Sequence, residues 1–563
     1  MHNRATTAQL GSRRLALGAA ATIVALVLAA CSGSSSSGGG GAAPTGSSSG
    51  GSDVVLTTPK ASGPIDTLDW DLPYGEPTTV DYVKAADYGP DMVVSNLCDS
   101  LIRLEPDYSM SPNLATSWKT SSDHLTTTFT LRTDVKFWDG KPLTPEDVAY
   151  SLLRNLDPKN EPVNGAFFDH VKSITPKGNN QVVVRFTKPD ELFLKEMATV
   201  AGQVSEKAYT ESKGEKYGSA EGGVMCSGPF ELKSGDWKPG QSITLTANQD
   251  YWNPDLRPLA GKVVLHFISD TSTLAQAIKS GEIQGAYELP PAILPAVSQS
   301  GMGTVYQGKS LQVFELGPTP GPMADQKLRQ ALGMVIDRKA LAEVVFHGAA
   351  DPNYTLIPPP AWDPSGLDIY QQAYDAIPHP DGKDIEAAKQ LIAGDPNASK
   401  TIVLAIGAGN QTDVDSATLI QQEAAQIGLK IQIKQMQPLQ FSTAFFDENA
   451  RKGIDLMLTQ GWVDVPDPLD YLGLIVLPDS YFNWLGLKNQ TVARLVDKAR
   501  SNYDDQQRAR QITQAQSSYE PTQPVIPMLA LHELMYMSKD ITGAPASFAY
   551  IFEPSLATVG SAS

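Results

Sequence analysis

Apolar and polar positions recur with two different periods along this chain, and the balance between them changes near its middle. In the first half, Thr126 to Leu131 alternates with β-branched residues, and Gln181 to Phe186 is dense in valine; both predict strands. Val54 to Leu56, Ile243 to Leu245 and Val263 to Ile268 read as further strands. Met92 to Leu104 is apolar at mixed spacing and reads as a helix, with Asn96, Cys98 and Asp99 interleaved. Thr144 is placed to cap a helix, with Pro145 at its first position and Glu146 and Asp147 at the positive end of its dipole. That helix is expected to reach about Asn155, with Val148, Leu152 and Leu153 inward. A further helix, Thr273 to Ser280, stops at Gly281. In the second half the rhythm becomes helix and strand in turn. Leu328, Ala331, Leu332 and Val335 fall on one helical face. Thr401 to Ile406 reads as a strand, a helix through Ile420, Ala424 and Ile427 stops at Gly428, and Ile431 and Ile433 alternate in the next strand. Such a strand-helix-strand unit predicts an α/β body with a mostly parallel sheet. Val492, Leu495, Val496 and Ala499 mark a late helix. Val525 to Ala530 is a C-terminal strand expected to return to the first half.

Composition sets the scale of this pattern. With 563 residues the chain exceeds a single core, and 41% hydrophobic content is that of a globular protein, so two or three lobes are expected. The formal charge of -18 disfavours nucleic acid and anionic lipid as partners. Residues 1–30 carry Arg4, Arg13 and Arg14, no acid, and an apolar run from Leu15 to Ala30 that is short for a membrane span. They read as an export signal. Leu28-Ala29-Ala30-Cys31 resembles the bacterial lipobox, which implies cleavage before Cys31 and a lipid on its sulfur; a simple secretory signal is the other reading. Arg13-Arg14 fits an ordinary basic n-region better than a twin-arginine signal. Residues 32–52 are almost wholly Ser and Gly and cannot bury apolar surface, so residues 31–52 read as a lipidated cysteine and a tether. The remaining cysteines, Cys98 and Cys226, admit either a disulfide or two separate buried thiols.

The densest chemistry lies at Gln460 to Tyr471, QGWVDVPDPLDY, which follows an apolar run ending at Leu458. Pro466 and Pro468 stiffen the loop, and its place after a strand in an alternating helix-strand body is where α/β sheets hold ligands. Asp464, Asp467 and Asp470 recur every third residue, but prolines stand where a calcium loop needs alternating ligands and a glycine. None of the seven histidines has another three or four residues away, and no nucleophile elbow or phosphate loop occurs. No metal, cofactor or catalytic constellation is therefore assigned. Gly407-Ala408-Gly409 reads as a turn. Binding fits better: Asp464 as a carboxylate for an ammonium, with Trp462 stacking beside it. The competing reading has Asp464 capping a turn and Trp462 packed in the core.

Several segments together resemble the solute-binding lipoproteins of ABC importers, in the cluster that includes dipeptide- and oligopeptide-binding proteins. They are Asn96-Leu97-Cys98-Asp99-Ser100-Leu101, Trp118, Phe137 to Val148, Ser227-Gly228-Pro229-Phe230, Asn248 with Tyr251-Trp252, Leu328-Arg329-Gln330-Ala331-Leu332 with Ile336-Asp337-Arg338, and Trp462 to Pro468. They keep the family's order over nearly all of residues 53–545.

The resemblance implies an α/β, two-lobed periplasmic-binding-protein fold of the large class, with mixed sheets, two crossing strands and a ligand cleft between the lobes. Lobe 1 would comprise residues 53–100, 225–310 and 523–563, with 101–224 as an inserted subdomain and 311–522 as lobe 2. Gly461, Trp462, Val463 and Asp464 would pair with a peptide backbone like an added strand, Asp464 holding its α-ammonium, and Tyr88 would line the pocket from lobe 1. The resemblance further implies a monomeric, non-enzymatic receptor without cofactor, lipid-anchored on the outer face of the bacterial membrane, delivering oligopeptides to an ABC permease. A glycan or metal chelate as solute, and a regulatory or scaffolding lipoprotein, are the alternatives. One departure bears on the ligand: dipeptide-specific relatives place an arginine after the strand equivalent to Thr401–Ile406, and Gly407 to Thr412 holds no cation.

Overall fold

Three sheets organise the computed structural model, which describes residues 54–563 except 86, 479 and 481. The export signal, Cys31 and the Ser/Gly tether lie outside the described residues. An eight-stranded sheet runs in the order Gly303–Gly308, Glu533–Ser538, Gly285–Ala286, Ile65–Asp71, Ala260–His266, Ser242–Ala247, Phe230–Glu231, with Trp237–Lys238 also paired to Ser242–Ala247. A six-stranded sheet runs Ala350–Pro352, Ile526–Leu531, Val313–Pro318, Leu456–Gly461, Thr401–Gly407, Lys430–Met436. A four-stranded antiparallel sheet joins Ala115–Thr120, Thr126–Leu131, Gln181–Phe186 and Val171–Lys177.

The two large sheets are linked at two neighbouring crossings. Gly303–Gly308 continues through Lys309 to Gln312 into Val313–Pro318, and Ile526–Leu531 continues through His532 into Glu533–Ser538. Leu531 N–H donates to the Gln312 carbonyl at 3.1 Å, tying the crossings together. The C-terminal strand read at Val525 to Ala530 therefore belongs to the six-stranded sheet; the segment after His532 makes the return. The strand-helix-strand reading holds, since Thr401–Gly407 and Lys430–Met436 pair in parallel around the Gln411–Gln426 helix. The sheet as a whole is mixed rather than mostly parallel, because Val313–Pro318 enters antiparallel to both neighbours.

Local signals explain most of the elements. Thr144 and Asp147 form a reciprocal capping box, Asp147 N–H donating to Thr144 Oγ1 and Thr144 N–H to Asp147 Oδ2. The helix spans Pro145–Leu153; Val148 and Leu152 are buried, but Leu153 faces solvent. Gly281 and Gly428 end their helices at φ +79° and +87°, where a side chain would be strained. Val54 to Leu56 makes only an isolated bridge, Val55 to Gly308, rather than a strand. The apolar run from Met92 divides into the helix Tyr88–Leu97 and the strand Ile102–Leu104, broken by Cys98, which is disulfide-bonded to Cys226.

Four of the motif segments, those holding Asp99, Trp138, Ser227 and Tyr251, meet in one polar knot beside that disulfide. Asp99 accepts from Ser227 Oγ at 2.7 Å, Tyr251 Oη at 2.7 Å and Trp252 Nε1 at 3.1 Å. The Gly228 carbonyl accepts from Trp138 Nε1 and Asn248 Nδ2. A Cβ at Gly228 would lie 2.3 Å from the Leu97 carbonyl oxygen, so only glycine permits this approach. Arg329 and Arg338 donate to main-chain carbonyls around them, including Gln523 and Pro527, and knit helix to strand.

Candidate functional site

The carboxyl ends of Ile65–Asp71 and Gly285–Ala286, parallel to one another, face those of Thr401–Gly407 and Leu456–Gly461 from the other large sheet. Loops from all four ends enclose a cavity of about 70 Å³, lined by Tyr74, Glu288, Gln312, Asn410, Thr412, Asp413 and Gln460 among others. That is room for a few waters or one polar head group.

The QGWVDVPDP loop leaves Leu456–Gly461 beside this cavity. Trp462 Nε1 donates to Asp464 Oδ1 at 3.1 Å, and the indole lies 4.5 Å from the Tyr88 ring. Tyr88 also packs on Tyr74 at 5.0 Å and Phe548 at 5.8 Å, so an aromatic cluster bridges the loop and the Tyr88–Leu97 helix. Trp462 and Asp464 are half-buried, whereas Val463 turns its side chain into the core. Gly461 ends the strand, and a Cβ there would meet only ordinary contacts, so its glycine is not required by packing.

Three aspartates of one loop have three environments. Burial pushes Asp464 up to about 6, with the Trp462 bond opposing. Asp470 is pushed up to about 8, first by burial and then by the charge of Asp464; its Oδ2 accepts from the N–H groups of Asp464 and Val465. Asp467 is the opposite case: burial works against its charge, but Arg508 and Lys195 hold it far below the usual range, each at 2.5 Å. Asp467 also caps the Pro468–Ile475 helix through Leu469 N–H. Asp91, on the Tyr88–Leu97 helix, is raised by burial and then by Asp464 and Asp87.

The strand before the loop offers backbone. Leu456–Gly461 pairs with Val313–Pro318 along its whole length. On its other side Thr401–Gly407 pairs only with Leu456 and Met457. Leu458 to Gly461 thus has no strand partner on that side, and Gln460 among them lines the cavity.

The structure brings Trp462, Asp464 and Tyr88 together, but neither these three nor Gly461 and Val463 line the cavity itself. It adds Glu288, whose carboxylate accepts from Gln312 Nε2 at 2.7 and 2.8 Å and from Tyr550 Oη at 3.1 Å. It also adds Tyr74, Asn410, Thr412 and Asp413, which periodicity does not mark. The only local hint was Pro290-Pro291 after Glu288, a stiff loop following a short strand. Among the described residues no group of three or more potential ligands could hold a metal, and no helix is long and apolar enough to cross a membrane.

Comparison with known proteins bears on the family and the fold. Residues 109–483, well over half of the chain, match the model of the bacterial extracellular solute-binding proteins, family 5. The dipeptide-binding protein DppE of Bacillus subtilis (strain 168) is 24% identical over 471 residues, covering 80% of this chain and 84% of that protein. The oligopeptide-binding protein AppA from Bacillus subtilis, solved with a nonapeptide, superposes with TM-score 0.75 at 20% identity, covering 90% of this chain and all of AppA (100%). AgaA from A. tumefacien R10, solved with agropinic acid, gives TM-score 0.74 at 21% identity over 88% of this chain and 98% of AgaA. The chain belongs to the bacterial extracellular solute-binding proteins of family 5.

Proposed function

We propose that this solute-binding protein captures oligopeptides, pairing their backbone with the open side of Leu458 to Gly461 and their α-ammonium with Asp464. The observation that carries the reading is a half-buried carboxylate standing just beyond an unpaired strand side. An extended peptide uses both, and Trp462 and Tyr88 cover its first residue. Relatives named for a dipeptide and solved with a nonapeptide support the class of solute. Where the turn after Thr401–Gly407 would need a cation to clamp a nearby carboxylate, it carries Asn410, Thr412 and Asp413. Longer peptides, whose C-terminus lies elsewhere, fit this better than dipeptides.

In this reading residues 53–100, 225–310 and 533–563 form one lobe with 101–224 inserted, and 311–531 form the other, since Ile526–Leu531 lies in the six-stranded sheet. The crossings near Gln312 and His532 act as the hinge, opening to admit the peptide. Cys31 carries the lipid, residues 32–52 tether the body at the outer face of the membrane, and the loaded protein docks on an ABC permease as a monomer. Native mass spectrometry of the purified protein tests it: co-purified peptides with free amino termini are expected, and N-acetylated peptides bind poorly.

A second reading is favoured by the small cavity and the direct Tyr88–Trp462 contact. A scaffolding lipoprotein that no longer transports would keep its cleft filled by its own side chains. Absence of any co-purified solute, together with no binding from a mixed peptide library, would select it.

A further inference from the structure

The cavity between Tyr74, Glu288 and Asp413 is set apart from the Asp464 loop, since neither Trp462 nor Asp464 lines it. Glu288 and Asp413 both line it, and no lysine or arginine does among the described residues. His532, the one basic side chain in the lining, is engaged with Gln307 at 2.8 Å and Asp351 at 3.0 Å. Thr412 also lines the cavity; this residue is 4% exposed, and its Oγ1 is buried with no hydrogen-bond partner among the described residues. Buried polar atoms in native proteins are nearly always satisfied, so this orphan at the cavity marks a group that meets a polar guest. Tyr74 and Glu288 hold φ of +61° and +53°, a strained backbone for non-glycine residues that turns both toward the cavity.

We infer that this cavity is a cation-selecting subsite, taking the ammonium or guanidinium of a lysine or arginine side chain on the bound peptide. The carboxylates of Glu288 and Asp413 supply charge, and Gln312, Gln460, Asn410 and Thr412 supply oxygen acceptors for the remaining N–H groups. Its volume suits the head group of one such side chain and not a peptide backbone. Burial raises both carboxyl groups, Asp413 to about 7, and an arriving cation relieves that cost. The subsite rests on the peptide-binding reading for its ligand, though not for its charge preference.

Calorimetric titration of the full-length mature protein with three pools of alanine tripeptides tests it. In each pool one alanine is replaced, at each position in turn, by lysine, norleucine or glutamate. The lysine pool is expected to bind at least tenfold more tightly than the norleucine pool, and the glutamate pool most weakly. Asp413→Asn, an isosteric change, is expected to shrink the lysine-to-norleucine ratio below threefold, and Glu288→Gln to act in the same direction. Equal binding of lysine and norleucine by the unaltered protein overturns the subsite and leaves peptide binding standing. Failure of all three pools overturns the peptide reading instead. Agmatine and 1,5-diaminopentane then decide the subsite: binding that Asp413→Asn abolishes keeps it for non-peptide cations, and no binding overturns it as well.

Discussion

The indole of Trp462 and the phenol of Tyr88 lie 4.5 Å apart, one on the loop after the six-stranded sheet's Leu456–Gly461 strand and the other on the helix after Ile65–Asp71. Each ring belongs to a different large sheet, so any opening at the crossings separates them. Ligand entry and closure should therefore change the fluorescence of Trp462. In Trp462→Phe the ligand-induced change is expected to vanish, and affinity to fall by about 0.5–1.5 kcal/mol, the scale of one aromatic pair. A full-sized fluorescence response in this variant would show that the loop and the Tyr88 helix do not move apart.

Asp464 should govern affinity in a pH-dependent way. Its carboxyl is pushed up to about 6 by burial, so it is charged above that pH and neutral below. An ammonium needs the charged form. Peptide affinity is thus expected to hold at pH 7–8 and to fall as pH drops through about 6. Asp464→Asn should weaken binding by about 1.5–3 kcal/mol at pH 7.5 and flatten the dependence. Calorimetry across pH 5–8 measures both, and an unchanged affinity at pH 7.5 would remove Asp464 as the ammonium partner.

What was legible beforehand divides along a physical line. The motif residues Asp99, Ser227, Gly228, Tyr251, Trp252, Arg329 and Arg338 stand in separate segments, and the structure uses them to satisfy buried polar atoms and close approaches. Such duties admit few residue types and so stand out in a sequence. Periodicity located the helices at Thr271–Ser280, Gln326–Val335 and Gln490–Arg500 because each buries one face. Leu153 and Val54 to Leu56 misled because an apolar residue near a helix end or a chain start need not be buried. The Val525 to Ala530 strand was assigned to the wrong sheet because pairing partners 200 residues away leave no local trace. Glu288 and Asp413 were invisible for a related reason: an acid lining a cavity looks, in one dimension, like any surface acid.

Arg508 should hold the ligand loop in place from behind. It is 2% exposed at its side chain and pairs with Asp467 and Glu191, while Lys195 pairs with Asp467 from the segment after the four-stranded sheet. Removing one partner of a buried cluster leaves uncompensated charge. Arg508→Met is expected to lose about 3–5 kcal/mol in urea unfolding. The additional change Asp467→Asn should recover part of that loss, because it removes one of the carboxylates left in excess over Lys195. No recovery in the double variant would mean that Arg508 acts through packing alone.

Glu315 offers a stability test independent of ligand. It is 4% exposed on Val313–Pro318, its Oε2 has no partner, and burial pushes it up to about 8. The folded group binds its proton more tightly than the unfolded one, whose value is about 4.5. Its contribution is therefore fully present below about 4.5 and is lost as pH rises toward about 8, beyond which it is flat. Glu315→Gln should be nearly neutral at pH 5 and should raise stability on the order of 3 kcal/mol at pH 9. Thermal unfolding of both proteins at the two pH values checks this; a variant less stable at pH 9 would show that the carboxylate has a partner in solution.

The disulfide joins architecture to the cleft. Cys98 and Cys226 are both buried, and the bond closes a loop of 128 residues. Chain entropy favours long loops, with measured effects of about 2–4 kcal/mol. Cys98 also caps the Tyr88–Leu97 helix through its N–H to the Val94 carbonyl at 2.7 Å, and that helix carries Tyr88 and Asp91. Its partner Cys226 precedes Ser227 and Gly228, the residues that grip Asp99 and crowd Leu97. Cys98→Ser with Cys226→Ser should therefore lower stability by about 2–4 kcal/mol and speed amide exchange across Tyr88–Leu97 more than in the four-stranded sheet. Calorimetry and hydrogen exchange on the double variant measure the two effects separately. Uniformly faster exchange would mean that the bond restrains only the unfolded chain, whereas a local increase would make it a brace for the aromatic face that meets Trp462.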